Sequence, residues 1–207
     1  MSTLTLAVKS IKSITESSGL GSDEPYVLVT AAKLSGVIPQ LEVTLYGPWS
    51  DVDEGETHGT LVLPKQLLPE DTFAGQVVRQ PFWGLDNVNA APIAHPDEVV
   101  FIVSVMENDG GDPHNLRSFI KLAAIASLAA SSGMTRAVRV RKLINDIGGI
   151  MGTITGVDFD EPVGLRELPL TAANLVPPAA KRNTIPLIIR GGSEGSFQVD
   201  IEFVFNN

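Results

Sequence analysis

Apolar and polar residues alternate along much of the chain, which is the pattern of β-strands with one buried face. The clearest run is SFQVDIEFVF at 196–205, and the opening segment 4–14 alternates similarly, with a slip near Ser10. By contrast VVFIVSVM, at 99–106, is almost continuously apolar, which predicts a strand buried on both faces. Shorter strands are predicted at 26–30, 41–46, 60–63, 75–79 and 185–190.

One segment, at about 115–154, breaks the β pattern. It is rich in Ala, Leu, Ile, Arg and Lys, and Gly133 divides it into two helix-length pieces. The second piece has apolar residues at helical spacing, whereas the first, LRSFIKLAAIASLAASS, is apolar almost all round. We therefore predict an antiparallel helical hairpin whose first helix is covered on more than one side. We expect it to pack on an edge or end of the β-structure.

Composition places the chain among globular proteins, and residues 1–207 are interpreted as a single domain. The 207 residues are 43% apolar and 19% charged, with a mean hydropathy of +0.17. These values exclude disorder as the main state. A formal net charge of -9 argues against nucleic-acid binding, which needs a basic face. Without cysteine there is neither a disulfide framework nor a thiolate metal site.

Positive charge is concentrated in the predicted hairpin. Between positions 113 and 145 there are six cations and no acidic residue. Arg136, Arg139, Arg141 and Lys142 belong to the second piece and predict a surface for an anionic membrane or a partner protein. The alternative is that the hairpin packs by its apolar stripe and exposes these cations to solvent. The two interpretations are compatible.

Acidic residues gather in three loops beside predicted strands, namely TESSGLGSDEPYVLV, MENDGGDP and DFDEPVG. Oxygen ligands on irregular loops suit Ca²⁺, which takes six to eight oxygens in uneven geometry. The candidate metal ligands are Glu16, Asp23, Glu24, Glu107, Asp109, Asp112, Asp158 and Asp160. The alternative is that these acids cap turns and keep the protein soluble.

The same three segments resemble parts of C2 domains. SDEPYVLV resembles the segment in which Asp-Pro-Tyr-Val begins the second strand, MENDGGDP resembles the other calcium loop, and DFDEPVG resembles the end of that loop. The resemblance implies a mainly β fold, an eight-stranded antiparallel β-sandwich whose calcium loops cluster at one end and, in many members, dock on anionic lipid. More narrowly, the chain is similar to bacterial C2-like proteins that carry a helical insertion in this loop.

The resemblance also implies roles for particular residues. Asp23 corresponds to the aspartate that begins the second strand, and Glu107 and Asp109 correspond to the acid pair of the other loop. The remaining ligands would come from Asp112, Asp158 or Asp160. The chain departs from the family pattern in having Glu24 before Pro25, and glutamate where aspartate is usual at positions 16 and 107.

Together these patterns predict a calcium-binding, non-catalytic C2-like module that engages an anionic membrane surface or a partner macromolecule. The alternative is a metal-free structural or interaction scaffold that assembles through its helical insertion or its edge strands. An enzyme is not expected, because the chain has no nucleophile elbow and no phosphate-binding loop, and nothing singles out a catalytic carboxylate pair.

Two further expectations concern location and the tryptophans. The opening residues alternate, unlike a signal peptide, and the longest weakly charged stretch, 122–134, is too short to span a bilayer. No transmembrane segment is therefore predicted, and the default location is the cytoplasm, with export by a non-classical route as the alternative. Trp49 and Trp83 stand beside turn residues and are predicted to pack in the protein rather than to bind a ligand.

Overall fold

A computed structural model describes residues 3–16, 22–35, 40–62, 72–83, 98–153, 160–171, 183–191 and 195–206. The strands within these ranges are β1 (Thr3–Thr15), β2 (Pro25–Lys33), β3 (Gln40–Tyr46), β4 (Thr57–Gly59), β5 (Thr72–Phe73), β6 (Gln76–Val77), β7 (Pro81–Trp83), β8 (Val99–Glu107), β9 (Glu161–Glu167), β10 (Asn183–Arg190) and β11 (Ser196–Asn206). The helices are α1 (Pro113–Ala130) and α2 (Arg136–Thr153). The prediction of a mainly β protein with a pair of helices is confirmed.

The strands form two larger antiparallel sheets. The first sheet has the order β10-β11-β1-β4, with β7 also paired to β1, and the second has the order β3-β2-β8-β9. Strands β5 and β6 form a separate hairpin. In the described part of the chain the larger sheets therefore hold five and four strands, which differs from the expected eight.

The first sheet follows the alternation of the sequence. In β11 the side chains of Phe197, Val199 and Ile201 are buried against the second sheet, whereas those of Gln198 and Asp200 point to the other side and are half-buried. Strand β1 pairs with β11 and shifts register between residues 8 and 10. This irregularity lies where the sequence predicts a slip, and such a shift is how a strand accommodates an extra residue.

The second sheet is buried on both faces. Every residue of β8 is buried, as the continuous apolar run predicts. In the neighbouring β2, Val27 and Val29 face the core between the sheets, and Tyr26 and Leu28 face a second apolar cluster on the other side. The sheet therefore lies between two cores.

The helical hairpin supplies the second core by covering the outer face of the second sheet. Helix α1 lies over β3 and helix α2 lies over β9. Two ion pairs tie the helices to the strands beneath them, Lys121 to Glu42 at 2.9 Å and Arg136 to Glu167 at 2.6 Å. The expectation of packing on an edge or end is therefore wrong, because the apolar outer face of the sheet requires the cover.

The short strands differ most from the sequence prediction. The strand predicted at 60–63 is replaced by β4 at Thr57–Gly59, and the 75–79 segment contributes the two-residue β6. The sequence does not predict strands β5, β7 and β9. Position 63 and most of the predicted GGSEG turn lie outside the described residues.

The tryptophans pack as predicted. Trp49 and Trp83 are both buried in the core between the sheets. The ring of Trp83 meets that of Phe101 edge to face, with centroids 5.4 Å apart. These rings therefore stabilise the core instead of forming an exposed binding surface.

Candidate functional site

Strand register brings the three acidic loops to one end of the second sheet. Pro25 of β2 pairs with Glu107 of β8, and Glu107 pairs with Glu161 of β9. The loop before β2, the loop after β8 and the residue before β9 are consequently neighbours. Asp23 and Asp160, more than 130 positions apart in the chain, lie at the same end of the sheet.

The carboxylates at this end differ in exposure. Asp23 is completely buried, and Glu107 and Asp160 are 8% and 7% exposed. Glu24 is half-buried, whereas Asp109 and Asp112 are exposed. Glu16 is also exposed, and its carboxylate accepts a hydrogen bond from the backbone N–H of Glu54. Asp158 lies outside the described residues.

Asp160 is held by two donors from other loops and strands. The hydroxyl of Tyr26 donates to its Oδ2 at 2.6 Å, and the backbone N–H of Gly111 donates to its Oδ1 at 2.9 Å. A Cβ added to Gly111 would lie 2.5 Å from Oδ1, so the carboxylate occupies space that only glycine leaves open. Asp160 thus joins the loop after β8 to the start of β9.

Tyr26 is a permanent donor to this carboxylate. Burial, the hydrogen bond to Asp160 and the negative charges of Asp160 and Asp112 all raise the pKa of the Tyr26 hydroxyl well above its usual range. The phenol therefore stays neutral at physiological pH. Tyr26 is not among the site residues that the sequence predicts, although it follows Pro25 at the start of β2 and therefore lies next to the acidic loops.

The remaining described acids also have structural partners. Asp112 is the N-cap of α1 and accepts a hydrogen bond from the His114 backbone N–H at 2.9 Å, next to a proline at the start of the helix. The Asn108 side chain donates to the Glu24 carboxylate at 3.1 Å. In these contacts Asp112 caps a helix and Glu24 joins the loop before β2 to the residue after β8.

A calcium site is not assembled by the described side chains. They contain no group of three or more histidine, aspartate or glutamate residues that could hold a metal ion.

The cations of α2 mostly bind within the chain. Arg136 pairs with Glu167, Lys142 pairs with Asp146 at 2.7 Å, and the Arg139 guanidinium donates to the Leu34 carbonyl. Arg141 is exposed. Three of the four cations proposed as a membrane or partner surface are therefore engaged with the protein itself.

The outward face of α1 is apolar and exposed. Phe119, Leu122 and Ile125 are 50%, 64% and 41% exposed, and Met134 in the turn between the helices is 49% exposed. Helix α1 is covered by β3 and α2, but this face is not covered within the described chain. We call Phe119, Leu122 and Ile125 the α1 apolar face.

A cavity of about 130 Å³ lies between the start of α1, the end of α2 and the acidic end of the sheet. Asp112, Asn115 and Asp160 form its polar wall. Its apolar wall consists of Met106, Leu116, Phe119 and Met151. Phe119 therefore belongs both to the cavity and to the α1 apolar face.

Comparison with protein-family models, with curated proteins and with solved structures finds no match to this chain. Within the described residues, neither helix has the length and apolar character needed to cross a membrane.

Proposed function

We propose that this protein is a non-catalytic interaction module that docks on a partner protein through the α1 apolar face. The observation that carries the proposal is the exposure of Phe119, Leu122 and Ile125 on one side of a helix that is otherwise packed. Contiguous apolar surface of this kind marks interaction sites, because leaving it in water is unfavourable.

The charges around the helix support a protein partner. Helix α1 itself carries only two cations, of which Lys121 is paired with Glu42, and it carries no acid. The α1 apolar face therefore has little charge to desolvate on binding. The core of a protein interface is depleted of charged residues in the same way.

The size of the face favours a partner that also contacts the surface beside α1 over a second copy packed helix to helix. Helix α1 has 18 residues. At 1.5 Å per residue it is about 27 Å long and, with a width of about 10 Å, offers about 270 Å² on one side. A stable interface buries about 800 Å² per partner. A partner that covers the exposed side of α1 together with the surface beside it gains the missing area.

An anionic membrane is the less favoured occupant. Three of the four predicted cations bind within the chain, and the acidic wall of the cavity adjoins the α1 apolar face. Negative side chains beside the apolar surface repel anionic headgroups.

The docking surface is tested by placing a photo-crosslinking amino acid at Leu122 in cells that produce the protein. The matched control carries the same group at Lys12, an exposed position on the first sheet. We expect a discrete crosslinked protein from position 122 but not from position 12. The crosslinked protein from position 122 should be lost in the Ile125→Ser variant. Equal crosslinking from both positions would contradict the proposal.

Two further measurements separate the other occupants. Light scattering at high concentration detects a second copy. Flotation with vesicles of phosphatidylcholine, alone or mixed equally with phosphatidylserine, detects a lipid surface. If self-association depends on Leu122, the occupant of the α1 apolar face is a second copy and not a partner protein. If binding to the mixed vesicles depends on Leu122, the occupant is an anionic membrane.

The C2-like fold belongs to the same proposal. It is supported by the two antiparallel sheets and by three acidic loops at one end. It is also supported by the helical hairpin between β8 and β9, which separates MENDGGDP from DFDEPVG, the two parts of one loop in the resemblance. An eight-stranded C2 sandwich corresponds to this architecture if the short strand β4 or β7 is counted as accessory.

Calcium binding is a second candidate function, favoured by the register that joins β2, β8 and β9 at their acidic ends. Calorimetry with Ca²⁺ on chelator-treated protein tests it. A calcium module must show heat and a higher melting temperature at millimolar Ca²⁺, since an ion that binds only the folded state stabilises it. Asp109→Asn should weaken both signals.

A further inference from the structure

The cavity beside α1 contains an unusual electrostatic feature. Asp160 forms part of its wall and is 93% buried, yet none of the ion pairs in the described part of the chain includes this carboxylate. Its partners there are the Tyr26 hydroxyl and the Gly111 N–H. Buried charges in proteins are normally paired with an opposite charge, because removing them from water is costly.

The hydrogen bonds leave acceptor capacity on Asp160. An ionised carboxylate offers about four lone-pair sites, and Tyr26 and Gly111 occupy one on each oxygen. Asp112 lines the same cavity, and its charge reaches the same Tyr26 hydroxyl. A cation in the cavity would therefore meet two carboxylates and the side chain of Asn115.

The apolar residues that line the cavity select the kind of cation. Met106, Leu116 and Met151 are apolar and buried, and Phe119, which also lines the cavity, is 50% exposed. Such a wall suits a methylene chain, and an aromatic face attracts a cation. A hydrated divalent ion would find carbon where it needs oxygen.

Donor geometry narrows the choice to a primary ammonium group. An ammonium group has three donors that can be shared among separate acceptors. A guanidinium prefers two acceptors side by side on one carboxylate, whereas the acceptors of this cavity are divided among Asp112, Asn115 and Asp160.

We infer that this cavity binds the alkylammonium end of a lysine side chain that the partner protein presents. The inference rests on the proposed function for the source of the lysine. Because Phe119 belongs to both surfaces, a lysine in the cavity would place its neighbouring residues against the α1 apolar face. The partner segment is thus expected to carry a lysine flanked by apolar residues.

The cavity is tested on the full chain without the partner, using n-butylammonium as the probe. Calorimetry and amide NMR at neutral pH should show saturable binding, with shifts at the Gly111 N–H and the Asn115 side chain. Nα-acetyl-lysine N-methylamide should bind at the same place, whereas n-butanol and n-butylguanidinium should bind at least about tenfold more weakly, as loss of a charge-assisted hydrogen bond predicts.

The variant Asp112→Asn removes a charge from the cavity and keeps an efficient helix cap. We expect it to weaken n-butylammonium binding about tenfold. The matched control Asp51→Asn makes the same chemical change at an exposed loop residue outside the cavity and should leave binding unchanged. Asp160→Asn should abolish binding if it folds, but the test does not depend on it.

The outcomes separate this inference from the proposed function. The lysine cavity would be contradicted by any of three results. These are equal binding of n-butanol and n-butylammonium, no effect of Asp112→Asn, and competitive displacement of n-butylammonium by millimolar Ca²⁺. If crosslinking from position 122 persists in any of these cases, the docking surface stands without it. If n-butylammonium binds but position 122 crosslinks nothing, the cavity takes a free amine, and both the docking surface and the lysine source are wrong.

Discussion

The two sheets bury their inner faces alike but differ on their outer faces. The outer side of β11 carries Gln198, Asp200 and Glu202, and Gln198 donates to Asp200 at 2.8 Å. The outer side of the second sheet carries apolar residues that pack under the hairpin. The helical hairpin between β8 and β9 thus forms a second core with the outer surface of one sheet.

This difference explains two sequence patterns. A strand in the first sheet alternates because one side meets polar surroundings, whereas β8 is continuously apolar because both sides are packed. The hairpin also fixes the acidic end of the sheet, because Asp112, the N-cap of α1, follows Gly111, whose N–H donates to Asp160. The second core and the cavity are therefore expected to depend on each other.

The largest effect should come from opening a hole in the second core. Leu143 of α2 is fully buried there, and Leu143→Ala should lower the free energy of unfolding by about 2–5 kcal/mol. Lys12→Ala, on the exposed side of β1, should change it by less than about 0.5 kcal/mol. Urea denaturation measures both. Similar small effects would mean that the hairpin contributes little to the fold.

The next effect compares two buried tyrosines on opposite faces of the second sheet. Tyr26 faces the hairpin and donates to the charged Asp160, whereas Tyr46 faces the inner core and donates to the Gln80 carbonyl. Tyr26→Phe should cost about 1.5–3 kcal/mol and Tyr46→Phe about 0.5–1.5 kcal/mol, because hydrogen bonds to charged groups contribute more.

Urea denaturation at neutral pH also measures this pair. The reverse order would indicate that the Asp160 carboxylate is stabilised by groups other than Tyr26. The argument that Asp160 is a buried charge without an ion-pair partner would then also be weaker.

A smaller effect is expected at the boundary between the acidic end and the hairpin. Asp112→Ala removes the N-cap of α1 and should lower the free energy of unfolding by about 1 kcal/mol. Asp112→Asn should be nearly neutral, because asparagine caps a helix equally well. Thermal unfolding distinguishes the two variants, and equal destabilisation would show that charge, and not capping, is what Asp112 contributes.

The sequence predicts the elements whose local pattern is strong. The continuous run of β8, the alternation of β11 and the helical composition after Pro113 all identify elements that the structure contains. Strand β9 is missed because a glycine separates Val163 from Leu165 and charged residues surround them. Its position depends on pairing with β8, which no local pattern contains.

The candidate site shows the same limit. Sequence order correctly indicates three acidic loops beside strand ends, and strand register then makes them neighbours. It does not indicate that the donor to Asp160 is Tyr26, because the two are 134 positions apart. In the fold Asp160 accepts hydrogen bonds from the Tyr26 hydroxyl and the Gly111 N–H, and no local pattern in the sequence indicates either contact.

The smallest predicted effect concerns the surface of the hairpin. Lys142 donates a hydrogen bond to Asp146 one turn further along α2, and this bond holds the pKa of Asp146 below its ordinary value of 3.8. A carboxyl group with a lowered folded-state pKa stabilises the protein above the ordinary value, and this stabilisation disappears as pH falls through the folded-state pKa. Lys142→Ala should therefore cost about 0.3–0.5 kcal/mol at neutral pH, because both side chains are partly solvated.

Denaturation of the parent chain and Lys142→Ala at several pH values and salt concentrations checks this expectation. The difference between them should vanish in strong acid and shrink in molar salt, since exposed pairs are screened. No such loss is expected for Leu143→Ala, whose cost arises from a cavity and not from charge. A salt-independent cost of Lys142→Ala would mean that its methylene stem packs on the hairpin, which would extend the second core to the outer surface of α2.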